Sequence, residues 1–186
     1  MDSPYTAEVK TAALPVPSWL ERFHRPRELA DACAGCPSHG RIWSCPPDVP
    51  AADALFAPYG TVHVVGLKLT WSPEIRARAA ESREQAEELR RALYDPAAAA
   101  LSASLLELER AVPGSWSVAA RQCWRCARCA RLDGLPCREP DRMRYSFSGL
   151  RFDLSSMARE LLDVGLLWAA RGFPSYNMAL AAFLER

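Results

Sequence analysis

The chain has 186 residues, a formal charge of +1 and seven cysteines. A chain of this length buries enough surface to hold a core without staples, so the cysteines are free for chemistry. The near-neutral charge gives no global electrostatic case for nucleic acid or a membrane surface. Seven is an odd number, so the cysteines cannot all pair as intramolecular disulfides. Met1-Asp2-Ser3-Pro4-Tyr5 lacks the basic-then-apolar pattern of a signal peptide. No apolar run reaches the roughly 18 residues of a membrane span. Reduced, cytoplasmic, metal-binding thiols are the expectation.

In chain order, residues 1–18 are punctuated by Pro4, Pro15 and Pro17, with a short strand expected over Val9–Val16 and a short helix opening at Ser18-Trp19. The first cysteine group follows, Cys33-Ala34-Gly35-Cys36 to Trp43-Ser44-Cys45-Pro46-Pro47. Pro37, Gly40, Pro46 and Pro47 exclude a regular helix or central strand there, leaving a shaped loop. Ala51–Phe56 reads as a short helix. Thr61–Trp71 is β-branched and mostly apolar, as in a strand buried on both sides. Ser72-Pro73 starts a helix, with Ser72 as cap. Ile75, Ala79, Ala86, Leu89 and Leu93 form its apolar stripe, and Glu87–Arg91 makes an i,i+4 pair. Asp95-Pro96 repeats the start signal for a second helix carrying Leu101, Leu105, Leu108 and Val112, ended by Pro113-Gly114. Trp116, Val118 and Ala120 alternate as a short strand leading into Cys123. Beyond the second cysteine group, Asp153 or Ser155 caps a helix with Met157, Leu161 and Val164, ended by Gly165. Leu166–Ala170 and Tyr176–Phe183 read as two strands of an apolar hairpin, with a rival reading that extends the helix through Trp168. The sum is an α/β fold: one metal-binding domain over 1–186, a small mixed sheet with packed helices, and two irregular cysteine-rich loops at about 33–47 and 121–140.

The chemistry lies in Cys123-Trp124-Arg125-Cys126-Ala127-Arg128-Cys129, followed by Cys137. A C-x2-C-x2-C run puts three sulfurs on one bend facing a common centre, which suits an iron–sulfur cluster whose several irons each need a thiolate. A single zinc is usually served by two separated C-x2-C pairs, and here the middle cysteine belongs to both. Zinc and metal-free thiols stay open as lesser alternatives.

Cys33-x2-Cys36 with Trp43-Ser44-Cys45-Pro46-Pro47, then Cys123-x2-Cys126-x2-Cys129-x7-Cys137-Arg138-x-Pro140, resembles the predicted metal-binding protein family known as domain of unknown function 2284. The resemblance runs from about Cys33 to Phe183. It implies a bacterial or archaeal metal protein of iron–sulfur type and names no reaction. The chain departs from the family pattern at Ser148, where Glu is usual, and at Arg151, where Gly is usual.

Seven sulfurs divide as four plus three. The economical assignment is a [4Fe–4S] cluster on Cys123, Cys126, Cys129 and Cys137, its negative charge offset by the seven arginines between Arg121 and Arg144. Those arginines equally suit a solvated face. Cys33, Cys36 and Cys45 have no obvious fourth cysteine. They hold a second cluster with one iron open to an external ligand, or Zn2+ with His39 or Asp48, or they share Cys137 by ligand exchange between loops. His24 and His63 read as structural. Trp43 and Trp124 read as shields that keep water from sulfur, and Tyr145, Ser146 and Ser148 as candidate hydrogen-bond donors. Whether the two groups sit side by side is open.

Three functions compete. One is an iron–sulfur redox protein exchanging electrons with a partner enzyme. The second is an enzyme, an iron–sulfur oxidoreductase, that transforms a small molecule at a three-cysteine cluster. The third is a zinc-stabilised interaction protein. Partners are therefore a redox protein or a small-molecule substrate, with no nucleic acid and no membrane. A homodimer through the edge of the C-terminal hairpin is a further expectation.

Overall fold

The computed structural model describes residues 3–36 and 38–186; Pro37, one of the expected breakers in the first cysteine loop, lies outside them, as do Met1 and Asp2. Four strands form one sheet: β1 (Tyr5–Pro15), β2 (Thr61–Trp71), β3 (Trp116–Val118) and β4 (Tyr176–Glu185). Their order is β1-β2-β4-β3. Every pair is antiparallel, so the sheet is not mixed; the parallel pairing present is an isolated bridge between Ala119 and Ser146.

Strand periodicity gives this sheet two faces. Val62, Val64, Leu180, Ala182 and Leu184 point to one face, with Trp19, Phe23, Phe56, Phe152 and Met157 packed over them. These come from α1 (Val16–Phe23), α3 (Ala52–Phe56), α7 (Leu154–Leu162) and the segment before α7. Trp19 is fully buried, stacks on Phe152 at 4.3 Å and donates its indole N–H to Met157 Sδ at 3.3 Å. Burial of each such side chain stabilises the fold by about 1.5–3 kcal/mol. Gly66 of β2 lets α7 approach, because a Cβ there would lie 2.6 Å from Leu162 Cδ1 and 2.1 Å from Met178 Cε.

On the other face Val65, Leu69, Trp71, Ala179, Ala181 and Phe183 pack against Ile75, Ala79, Leu89, Tyr94, Ala98 and Leu105. These belong to α4 (Pro73–Glu81), α5 (Arg83–Leu89), the π-turn Arg90–Tyr94 and α6 (Asp95–Ala111). Helices thus cover both faces, and the α/β expectation holds. Ser72 caps α4 as expected, its hydroxyl accepting from Ile75 N–H at 3.2 Å.

The expected single helix after Ser72 is broken at Ser82, which is extended and whose hydroxyl caps α5 by accepting from Gln85 N–H at 3.0 Å. Asp95 does not start α6 as a cap. It is helical, and its carboxylate accepts from Arg90. On α6 the buried residues are Ala98, Ser102, Leu105 and Leu106, while Leu108 is exposed. Asp153 caps α7, accepting from Ser156 N–H at 3.0 Å. The helix ends at left-handed Asp163 rather than at Gly165. Leu166–Ala170 is neither strand nor helix: Leu167 and Trp168 are exposed, and Gly172, at φ +65°, turns the loop tightly onto Ala79. No C-terminal hairpin forms: β4 lies between β2 and β3, and the short β3 pairs with it only over Ala182–Leu184. The long free edge belongs to β1, where Glu8 pairs with Lys10 and Lys68, charges of the kind that discourage edge-to-edge pairing.

Candidate metal centre

The end of β3 delivers the second cysteine loop. Ala119 N–H donates to Tyr145 O at 2.9 Å, and Ala120 N–H donates to the buried hydroxyl of Ser102 on α6 at 3.0 Å. Arg121 then takes a left-handed backbone, φ +65°, and the chain turns away from the sheet. Cys123 to Cys129 follow without regular structure. A 3-10 turn over Ala130–Asp133 is closed by left-handed Gly134, where a residue without Cβ is favoured. Cys123, Cys126, Cys129 and Cys137 all line one cavity of about 460 Å3.

The first cysteine loop forms the other wall. Cys33 lies in the last turn of a five-residue helix, α2 (Ala30–Ala34), so this part of the expected loop is helical; turns follow from Ser38 to Cys45. Trp43 joins the two loops. Its backbone N–H donates to Cys129 Sγ at 3.4 Å and its indole N–H to Leu135 O at 3.3 Å. The Arg131 guanidinium lies 4.4 Å from the Trp43 ring and donates to Gly40 O at 2.8 Å. Ser44 also lines the cavity, and its hydroxyl is buried with no hydrogen-bond partner among the described residues. The loops are therefore in direct contact.

Cys45 is buried, Cys33 half-buried and Cys36 exposed. The Cys33 thiol donates to Ser148 O at 3.7 Å. The loop is clamped from behind by Ser146, whose N–H donates to Ser44 O at 3.0 Å and whose hydroxyl accepts from Gly149 N–H at 3.1 Å. Ser146 is thus a fastening of the loop. Cys36 and Cys45 line a second cavity of about 320 Å3 together with Ser146, Ser148 and Arg121. Ile42 and Gln122 line both cavities, which are therefore adjacent. Spacing alone gave no reason to single out Ile42, Gln122 or Ser44. Among the described residues no three His, Cys, Asp or Glu side chains are gathered so as to hold a metal ion, in either cysteine loop. His63 bonds Glu185 at 2.7 Å, and His24 packs on Phe152, where burial holds its pKa down.

Burial pushes the Cys45 thiol up, and Cys33 and Cys36 add to this against the opposing charge of Arg151. Burial also raises Cys123, opposed by the backbone N–H groups of Arg125 and Arg144, with Cys137 and Cys126 raising it further. Such thiols stay protonated until a cation displaces the proton, so metal loading is favoured as pH rises. The arginines are mostly committed locally: Arg125 and Arg142 to Glu139, Arg128 to Asp133, and Arg144 to Glu109. The Arg144–Glu109 pair is nearly buried and also engages the Ser117 hydroxyl, tying the segment after Cys137 to α6.

No helix among the described residues is long and apolar enough to cross a membrane. No curated protein and no solved structure matches the chain. Residues 23–178, which carry both cysteine loops, match the family model "Predicted metal-binding protein (DUF2284)", and the chain belongs to that family.

Proposed function

We propose that the chain is a cytoplasmic iron–sulfur redox protein that exchanges electrons with a partner enzyme. Cys123, Cys126, Cys129 and Cys137 hold a [4Fe–4S] cluster, and Cys33, Cys36 and Cys45 hold a second centre. The observation that carries this reading is the single cavity lined by four thiols. A lone zinc needs its ligands within about 2.3 Å of one point, whereas a multi-iron core fills a space and takes one thiolate per iron. The donor set supports the fit: the Trp43 N–H is aimed at Cys129, and the orphaned Ser44 hydroxyl gains an acceptor when sulfide occupies the cavity. Hydrogen bonds to cluster sulfur raise reduction potential. Trp43 lines this wall and keeps water from it, and the shared lining residues Ile42 and Gln122 make the two centres neighbours. When bound, such clusters supply one-electron transfer.

A second reading, catalysis at the three-cysteine centre, is favoured by one observation: Cys36 and Cys45 face a cavity that four-cysteine ligation would not require. Iron, sulfide and zinc are measured on protein purified and reconstituted without oxygen. Two clusters give about eight irons with matching sulfide, falling by about half in Cys45→Ser and also in Cys129→Ser. A colourless preparation with zinc and no iron sinks the proposal.

A further inference from the structure

A cleft of about 990 Å3 lies between the α4–α5 junction and the loop over residues 166–175. It meets the inner cavity beside Cys36 and Cys45, and Tyr94, Arg121, Leu167, Trp168 and Asn177 line both. The two spaces are therefore adjacent, and the inner one is lined by Cys36 and Cys45.

The charges around the cleft are unevenly committed. Arg90 is engaged by Glu87 and Asp95. Arg83 and Arg171 have no ion-pair or hydrogen-bond partner among the described residues and are exposed. Arg121 stands 4.9 Å from the Tyr94 ring, and its Nε is 3.6 Å from Asp95 Oδ1, too far for a hydrogen bond. That oxygen is buried and has no hydrogen-bond partner among the described residues. Of the acidic lining residues, Glu87 is occupied by Arg90 and Arg91, which leaves Glu81. Arg83 and Arg171 thus face the cleft without partners among the described residues, and Arg121 faces it held only by a loose ion pair with Asp95 and its packing on Tyr94. The left-handed backbone of Arg121, which disfavours any residue with a Cβ, turns the chain at the point where the two spaces meet.

The lip of the cleft is apolar. Trp168 is 84% exposed and Leu167 39% exposed, although both are large hydrophobic residues. The loop that presents them is held in place: Phe173 packs on Trp71 at 4.8 Å, and Gly172 sits against Ala79 where a Cβ would lie 3.0 Å from its carbonyl oxygen. A fixed loop displaying an indole to solvent beside unspent guanidinium groups is suited to a ligand with an anionic end and a flat apolar body.

We propose that this cleft binds a small organic anion, a carboxylate or phosphate on an apolar body. Arg121 takes the anionic end with Arg171 and Arg83 at the mouth, and Trp168 covers the body. Its position beside Cys36 and Cys45 makes it the substrate site of the catalytic reading above, and that link rests on that reading; the binding itself does not.

The test uses the full chain, reconstituted without oxygen, titrated with benzoate, phenyl phosphate, benzyl alcohol and benzylamine while tryptophan fluorescence and the visible spectrum are recorded. Saturable quenching by benzoate or phenyl phosphate, lost in Trp168→Phe, is expected, and the stronger of the two identifies the anion. Benzyl alcohol and benzylamine bind at least about tenfold more weakly, and Arg121→Gln weakens anion binding about tenfold or more, as for loss of a charged hydrogen bond. Arg171→Gln and Arg83→Gln are surface changes that leave the fold intact and weaken it severalfold. Equal binding of benzyl alcohol and benzoate, quenching that survives Trp168→Phe, or affinity indifferent to all three arginine variants overturns the proposal. Iron-loaded protein that binds neither anion sinks the cleft alone. Iron-free protein that still binds them upholds the cleft and sinks the redox reading.

Discussion

Glu109→Leu is the sharpest test of how the four-cysteine cavity is supported. Glu109 and Arg144 have side chains only 10% and 12% exposed, and they meet through two hydrogen bonds, one of 2.9 Å. Removing the carboxylate leaves a nearly buried guanidinium without its counter-charge, which costs about 3–5 kcal/mol. Arg144 keeps hydrogen bonds to Asp141 O at 2.9 Å and Met143 O at 2.8 Å, so the lower end of that range applies. The Ser117 hydroxyl loses its acceptor as well. At about 2–4 °C per kcal/mol for a chain of this size, Tm falls by roughly 6–12 °C. The double variant Glu109→Leu/Arg144→Met removes both charges and recovers at least about 2 kcal/mol, because an apolar pair replaces an uncompensated buried ion. Urea unfolding of the parent, both single variants and the double variant closes the cycle. Because the Arg144 backbone N–H supports the Cys123 sulfur, the single variant also retains less metal. A loss below about 1 kcal/mol, or a double variant no more stable than Glu109→Leu, refutes the reasoning.

Arg151 sits at φ +58°, which costs a non-glycine residue about 1–2 kcal/mol. Arg151→Gly recovers that against about 0.5–1 kcal/mol of added unfolded-state freedom, so Tm rises by a few degrees; a clear drop in Tm would show that the Arg151 contacts outweigh the strain. Glu87 is held down to about 2 by hydrogen bonds from Arg90, with burial opposing and Arg91 adding. Its folded pKa is depressed, so its contribution is present above the ordinary value of 4.5 and lost as pH falls toward 2. Half-exposed as it is, Glu87→Gln costs about 0.5–1 kcal/mol at pH 7, and parent and variant converge in acid; a pH-independent gap in urea midpoints contradicts this.

Local rules were legible wherever the chain's own chemistry decided the outcome. Thr61–Trp71 is β2 at both ends, because a long β-branched apolar run between Gly60 and Ser72-Pro73 has one good conformation. The caps at Ser72 and Asp153 follow from side chains that reach their own backbone. The rest was decided by contacts distant in sequence. Leu166–Ala170 looks like a strand by composition, but Gly172 turns the loop onto Ala79 and Phe173 packs on Trp71, which holds Leu167 and Trp168 out of the sheet. The apolar stripe across Ser82 looked continuous, yet its serine hydroxyl ended one helix and capped the next. Gly165 carried the stop signal, and the chain turned earlier, at Asp163.

For the candidate metal centre, the cysteine spacing singled out the sulfurs but not their neighbours. Thiol spacing is local, whereas the meeting of the loops depends on Trp43 and Arg131 packing across the sheet end. The same holds for the cleft at Arg121, whose walls come from α4, α5, the loop over residues 166–175 and β4. Residue type and spacing determined which thiols are the candidate donors; only the packed chain determined that the two loops carrying them touch and that Cys36 is exposed while Cys45 is buried, because contacts and openings are made by surfaces that meet only after folding.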